Sequence, residues 1–84
     1  MTESKPINEE VFVKISEIIV ENAGIAAEKI TPLSRFQDLG LDSLDALAMI
    51  SDLEKEYNIK IPNQEILQLK TVGEAVESIS KRLQ

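Results

Sequence analysis

Asp38-Leu39-Gly40-Leu41-Asp42-Ser43-Leu44-Asp45-Ala46-Leu47-Ala48-Met49-Ile50-Ser51-Asp52-Leu53-Glu54-Lys55-Glu56-Tyr57 is the stretch that decides the fold. A glycine ends an irregular approach, an aspartate and a serine follow, and a helical pattern then runs unbroken. Leu44, Leu47, Ile50, Leu53 and Tyr57 recur at spacings of three, three, three and four, one apolar stripe of a 3.6-period helix. Asp42 or Ser43 caps that helix, because a short polar side chain there accepts an orphan amide of the first turn. Asn58 lets the chain leave it, since asparagine tolerates the left-handed conformation of a helix exit.

The same period runs on both sides of this stretch. Upstream, Asn8 is placed as a cap, with Glu9 and Glu10 in a first turn where the helix dipole favours negative charge. Val11, Ile15, Ile18 and Ile19 share a face, and Gly24 stops a helix of about residues 8–22. Residues 24–41 then form a long connection. Ala26-Ala27-Glu28 suits a single turn of helix, Pro32 breaks any longer one, and Ile25, Ile30, Leu33, Phe36 and Leu39 are expected to pin the segment over the core. Downstream, Ile59-Lys60-Ile61 alternates like a strand with nothing to pair with. Asn63 to Leu67 reads as a short helix after Pro62. Thr71-Val72-Gly73-Glu74 matches a capping box that opens a last helix with Val72, Ala75, Val76, Ile79 and Leu83 on its stripe. The expected fold is all-α: a small four-helix bundle, three main helices and one short, with a long loop between the first two. Residues 1–84 read as a single domain, with about residues 1–7 as a flexible tail.

Composition narrows the function. The chain has 84 residues, 15 acids against 9 bases and a net charge of −6, which disfavours nucleic acid and anionic membranes and favours partners with basic patches. The charge is local. Residues 36–57 hold six acids against Lys55 alone, while the remainder is nearly balanced, at nine acids and eight bases. There is no Cys and no His, so a thiolate metal site, a cysteine nucleophile and the usual general base are all missing. No apolar run nears the ~20 residues that span a bilayer, and no secretory signal opens the chain. These features read as cytoplasmic, without stable membrane insertion, monomeric and non-catalytic, with no catalytic residue and no metal site of its own.

Ser43 is the residue with chemistry around it. It follows a glycine turn and opens a helix, where free amides and the positive dipole end make a seat for an anion. A phosphate ester on Ser43 suits that place, and Asp42 and Asp45 are placed to face a divalent cation or a basic enzyme surface. From spacing alone a second interpretation stands beside it: Ser43 as a plain cap and the aspartates as ordinary first-turn residues.

Asp38 to Asp45 resembles the 4'-phosphopantetheine attachment motif of acyl carrier proteins, of the fatty-acid or polyketide type. The resemblance continues through Glu54-Lys55-Glu56-Tyr57 and Ile59-Lys60-Ile61-Pro62 to Thr71-Val72, nearly the whole chain from Asn8. It implies that Ser43 carries a covalent 4'-phosphopantetheine, installed by a phosphopantetheinyl transferase (a holo-carrier synthase) with coenzyme A and a divalent metal. It implies acyl groups held as thioesters on the arm and handed to acyl-transferring and chain-elongating enzymes with basic docking patches. A thiol on the cofactor and catalysis by partners account for a chain without Cys or His. By the same resemblance Asp38, Asp42, Asp45, Glu54 and Glu56 are partner-binding acids, and Leu44 and Met49 are exposed apolar contacts. The stripe of Leu47, Ile50, Leu53, Ile61, Ile66, Leu69, Ala75 and Val76 is core, part of which shelters an acyl chain; Ile66 and Leu67 are bulky enough to limit that chain's length.

The chain also departs from the housekeeping fatty-acid carriers. Their second helix is acidic at its middle and end, where this one has Ala48 and Lys55; an often-Met position is Ser51, and Asn63-Gln64 replaces common acids. This thinning points to a specialised carrier. A D-alanyl carrier fits less well at Leu39-Gly40-Leu41 and Asp45, and a peptidyl carrier less well at Asp42. A non-covalent acidic helical adaptor is the alternative of a different class. Calcium sensing is disfavoured, because Asp38, Asp42 and Asp45 lack the alternating ligands of the EF-hand loop.

Overall fold

The computed structural model describes residues 8–83. The flexible tail expected over about residues 1–7 lies outside them. Four helices form: α1 (Glu9–Ala23), α2 (Ser43–Tyr57), α3 (Asn63–Gln68) and α4 (Val72–Leu83), with a 3-10 turn at Ala27–Lys29 in the long connection. This is the expected all-α bundle. Ile59-Lys60-Ile61 is not a strand, and the β-type pairing among the described residues is one isolated antiparallel bridge between Arg35 and Thr71.

The ends of the helices follow local chemistry. The Asn8 side chain accepts the Val11 amide at the start of α1, and Gly24 leaves it at φ 69°. Asn58 closes α2 in the left-handed region at φ 57°, with Ile59 N–H returning to the Glu54 carbonyl at 3.0 Å. Thr71 and Glu74 form the capping box of α4: the Thr71 hydroxyl accepts the Glu74 amide at 3.1 Å, and the Glu74 carboxylate accepts the amides of Lys70 and Thr71.

One core joins all four helices. Val11, Ile15 and Ile19 meet Met49, Ile50 and Leu53, with Ile61, Ile66, Val72, Ala75, Val76 and Ile79 closing it. Fully burying a side chain of this size stabilises the fold by about 1.5–3 kcal/mol, and no helix here is long enough to persist without such packing. The long connection contributes Ile30, Phe36 and Leu41 to this core, with Ile25 and Leu39 half-buried against it.

Four apolar positions depart from the expected pattern. Leu33 is 86% exposed and does not pin the loop; Ile30 and Phe36 do, as expected, joined by Leu41. Leu44 is 74% exposed, off the stripe that the period marks but as the resemblance implies, and Leu83, at the end of α4, is also exposed. Met49, expected outside, is 2% exposed and sits in the core. The causes of the α2 differences are connected. Its buried face is Ala46, Met49, Ile50 and Leu53, which shares Ile50 and Leu53 with the leucine stripe but takes Ala46 and Met49 in place of Leu44. Leu47 is half-buried at the edge of that face.

Candidate functional site

The approach to Ser43 is held by backbone hydrogen bonds more than by side chains. Pro32, Ser34 and Phe36 zip against the α3–α4 connection: Phe36 N–H donates to the Lys70 carbonyl at 3.0 Å, Val72 N–H to Ser34 at 2.9 Å and Gly73 N–H to Pro32 at 2.8 Å. The chain then turns through Asp38, Leu39 and Gly40. Leu41 N–H reaches back to the Phe36 carbonyl at 2.9 Å, and Gly40 sits at φ 80°, a conformation that favours glycine. The buried side chains of Phe36 and Leu41 anchor the two ends of this turn, so Ser43 is delivered by a fixed loop.

Asp42, not Ser43, is the cap of α2. Its carboxylate accepts the Asp45 amide at 3.0 Å, and the Asp45 carboxylate accepts the Asp42 amide at 3.2 Å, a reciprocal capping box. The sequence interpretation of Ser43 as a plain cap is therefore set aside. Ser43 is the first residue of the helix proper and is exposed, and its hydroxyl takes no hydrogen bond from or to another described residue. Two of the orphan amides of the helix end are consumed by the aspartates; those of Ser43 and Leu44 are left beside the free hydroxyl. The two aspartates are engaged with backbone, and no group of three or more potential metal ligands occurs among the described residues.

Ser43 lies on the wall of a cleft of about 520 Å³. One side is built from the turn at 35–37 and 40–42, another from Ser43 and Ala46, and the third from Ile66, Leu67, Leu69 and Lys70. Of the eight expected acyl-shelter residues, Ile66 and Leu69 line this cleft. Ile50, Leu53, Ile61, Ala75 and Val76 lie deeper, in the closed core, and Leu47 is half-buried elsewhere on α2. Leu67 is 55% exposed at the cleft rim, while Ile66 is buried behind it.

The expected partner residues fall into two groups. Asp38, Asp42, Leu44 and Asp45 are exposed around Ser43. Glu56 is exposed further along α2 and pairs with Lys14 of α1 at 3.5 Å. Glu54 is turned inward, where its carboxylate accepts the Ile61 amide at 2.6 Å and fastens the α2–α3 connection. Met49 is inside and offers no surface. Arg35, Gln37 and Lys70 belong to the cleft without having been singled out from sequence. The cue would have been their adjacency to the loop zipper, which the Arg35–Thr71 bridge and the Phe36–Lys70 hydrogen bond reveal.

α3 is tied to α4 by a second cluster. Arg82 donates to both oxygens of Glu65, at 3.1 and 2.8 Å, and to the carbonyls of Lys60 and Ser78, while the Ser78 hydroxyl donates to the same glutamate. The Arg82 hydrogen bonds, aided by Ser78, lower the Glu65 pKa to about 2. This clamp holds the far end of the wall that α3 gives the cleft.

Comparison with known proteins shows the family to which the chain belongs. Residues 13–79 match the model of the phosphopantetheine attachment site. Acyl carrier proteins from two strains of Porphyromonas gingivalis are each 37% identical over 75 residues, covering 88% of this chain and 96% of the relative. No described helix is long and apolar enough to cross a membrane. The chain belongs to the phosphopantetheine-attachment family of acyl carrier proteins, carriers rather than catalysts, and its cofactor is a covalent 4'-phosphopantetheine.

Proposed function

We propose that Ser43 bears the 4'-phosphopantetheine and that the chain, as one carrier domain, delivers acyl intermediates to the enzymes of a fatty-acid or related specialised acyl, lipid or polyketide pathway in the cytoplasm. The observation that carries this is the free, exposed Ser43 hydroxyl at the first helical position, with the capping duty moved to Asp42 and Asp45. The residues fit the group. A phosphodiester at Ser43 meets the unpaired amides of the first turn and the positive dipole end, and the adjoining cleft leaves room for a flexible arm. The arm supplies the thiol that this cysteine-free chain lacks, to hold acyl groups as thioesters. The chain's own residues present that thiol to partners at high effective concentration.

Asp38, Asp42 and Asp45 around Ser43, with exposed Leu44, make the surface that the transferase and later acyl-handling enzymes dock on. Glu56 extends it. Opposite charge speeds encounter with basic enzymes. Ala48 and Lys55 are exposed on α2 and thin the acidic face away from Ser43, which supports a specialised pathway. Cargo enters between α2 and α3 past Ile66 and Leu69; Leu47, Ile50, Leu53, Ile61, Ala75 and Val76 shelter it when the core loosens, at a gain of about 0.8 kcal/mol per buried CH₂.

Intact-mass measurement after incubation with a phosphopantetheinyl transferase, coenzyme A and magnesium tests the assignment. One phosphopantetheinyl group is expected on the wild type and none on Ser43→Ala. A mass gain that persists in Ser43→Ala, or no gain with several transferases of different breadth, sinks it.

A further inference from the structure

The charge of α2 differs in space from its count along the chain. Glu54-Lys55-Glu56 adds up to two acids and one base, yet both glutamates are engaged. Glu54 turns inward to accept the Ile61 amide at 2.6 Å, and Glu56 pairs with Lys14 of α1 at 3.5 Å. Lys55 pairs with no acid among the described residues. It stands on the ridge of α2 that faces away from the core. Leu44, Ala48, Ser51 and Lys55 are all exposed and recur at intervals of four, three and four, opposite the buried Met49, Ile50 and Leu53. Past the left-handed exit at Asn58 the chain presents a second exposed lysine, Lys60, which also pairs with no acid among the described residues. The two lysines border a hollow of about 430 Å³ together with Ser51, Asn58 and Ile59, and the one acid of that lining is Glu54, already bound to the Ile61 amide. A lysine in a last helical turn also complements the helix dipole, but Lys60 lies beyond the helix, so the dipole does not account for the pair.

We propose that Lys55 and Lys60 are the far end of a two-signed docking surface: they take a carboxylate from the surface of the enzymes that act on this chain, the transferase included, while the Asp42–Asp45 end takes basic residues of the same enzyme. This rests on docking around Ser43. Asp45 and Lys55 are ten residues apart on one helix, a rise of about 15 Å, so the partner that fits carries a basic patch and an exposed Asp or Glu at that spacing. Charges that far apart exceed the screening length of ~8 Å at physiological salt, and the two ends are read separately. An enzyme surface that is basic throughout meets like charge at the lysines, and one that docks in reverse sets acid against acid. Such contacts reject wrong partners and wrong orientations. The lysine end thereby selects among enzymes and fixes the direction in which α2 lies on them.

Loading kinetics with a phosphopantetheinyl transferase and coenzyme A test this, at low and high salt, for the wild type, Lys55→Gln/Lys60→Gln and Lys55→Glu/Lys60→Glu. Net charge alone predicts that the glutamate variant loads faster, because the chain becomes more acidic and the enzyme surface basic. The two-signed surface predicts the reverse. The glutamate variant should load more slowly by about threefold or more, the scale of an exposed ion pair lost and a repulsion gained, and the glutamine variant by less. High salt should remove both differences, and both variants should melt with the wild type, because the sites are exposed. Unchanged or faster loading of the glutamate variant at low salt, or a deficit that persists in high salt, overturns the lysine end. If wild-type loading still slows with salt, docking at the acidic end survives that result; if wild-type loading is indifferent to salt, or Ser43 does not load, the docking reading falls with it.

Discussion

Asp42 has two jobs that substitution can separate. Its carboxylate closes the first turn of α2 by accepting the Asp45 amide at 3.0 Å, and its charge sits exposed beside Ser43 on the proposed docking surface. Asn keeps an oxygen of the right reach and loses the charge; Ala loses both. Replacing a capping Asp by Ala costs about 0.5–2 kcal/mol, typically ~1, whereas Asn ranks with Asp as a cap. Asp42→Asn then forfeits only the attraction of the charge to the helix dipole, a few tenths of a kcal/mol at an exposed site. For a domain of this size ~1 kcal/mol moves Tm by about 4–8 °C. Thermal unfolding followed by circular dichroism should place Asp42→Ala about that far below the wild type and Asp42→Asn close to it. Loading by the transferase should behave differently. Both variants lose the same charge, so both should load more slowly at low salt and approach the wild-type rate at high salt, where attraction to a basic surface is screened. If Asp42→Asn melts as low as Asp42→Ala, the capping geometry is wrong. If Asp42→Asn loads at the wild-type rate in low salt, Asp42 is a structural residue and the docking role passes to its neighbours.

Three further outcomes are expected. Met49→Ala should lower stability by about 2–5 kcal/mol, as deletion from a packed core does, while Leu44→Ala, at 74% exposure, should stay within ~0.5 kcal/mol and instead weaken partner binding; equal melting temperatures for the two would reverse their placement. Glu65 titrates at about 2 when folded against 4.5 ordinarily, so its contribution is complete above about pH 4.5 and fades as pH falls toward about 2. Glu65→Gln should accordingly melt lower than the wild type at neutral pH and converge with it in acid, and parallel curves would show that the Arg82 clamp contributes nothing. A Cβ at Gly73 would lie 2.8 Å from the Pro32 carbonyl oxygen; strain of about 1–3 kcal/mol outweighs the ~1 kcal/mol helix gain of Gly→Ala, so Gly73→Ala should melt lower and lose hydrogen-exchange protection at Phe36 and Val72, whereas a rise in Tm would refute the close approach.

What the sequence disclosed and what it hid divide along physical lines. Helix ends were readable because caps are local: Asn8, Gly24, Asn58, Thr71 and Glu74 act within a few residues of where they stand. The identity of the α2 cap stayed open between Asp42 and Ser43, since both types cap well and only the observed bond decides. The stripe through Leu44 and Leu47 misled because leucine weighs the same in a periodicity count whether it faces core or water. The small Ala46 and the flexible Met49 fill the face that packs, and Leu44 is released to the surface. The bond Glu54 makes was hidden for a different reason. A carboxylate seven residues from the amide it accepts leaves no local pattern to read. The cleft was invisible because its walls, at 35–43 and 66–70, are far apart in sequence and are brought together by tertiary packing and the loop zipper.

The placement of the cap one residue ahead of the serine has a consequence for how such a carrier can work. A serine that capped α2 would hold its oxygen against the Asp45 amide, and esterifying it would trade a helix end for a cofactor. Here the Asp42–Asp45 box holds the first turn whether or not Ser43 is modified. The loop that delivers Ser43 is likewise secured on the far side, by Phe36, Leu41 and the hydrogen bonds to the start of α4. The proposed attachment and the stability of the helix end are thereby carried by different atoms. The proposed docking surface at 38–45 would then be the same before and after loading in everything but the arm, so that a transferase and later enzymes could use the same acids. α3, six residues with no side-chain cap, is held by Ile66 in the core and by the Glu65–Arg82 clamp. It is the wall that the proposed route of an acyl chain to the interior crosses.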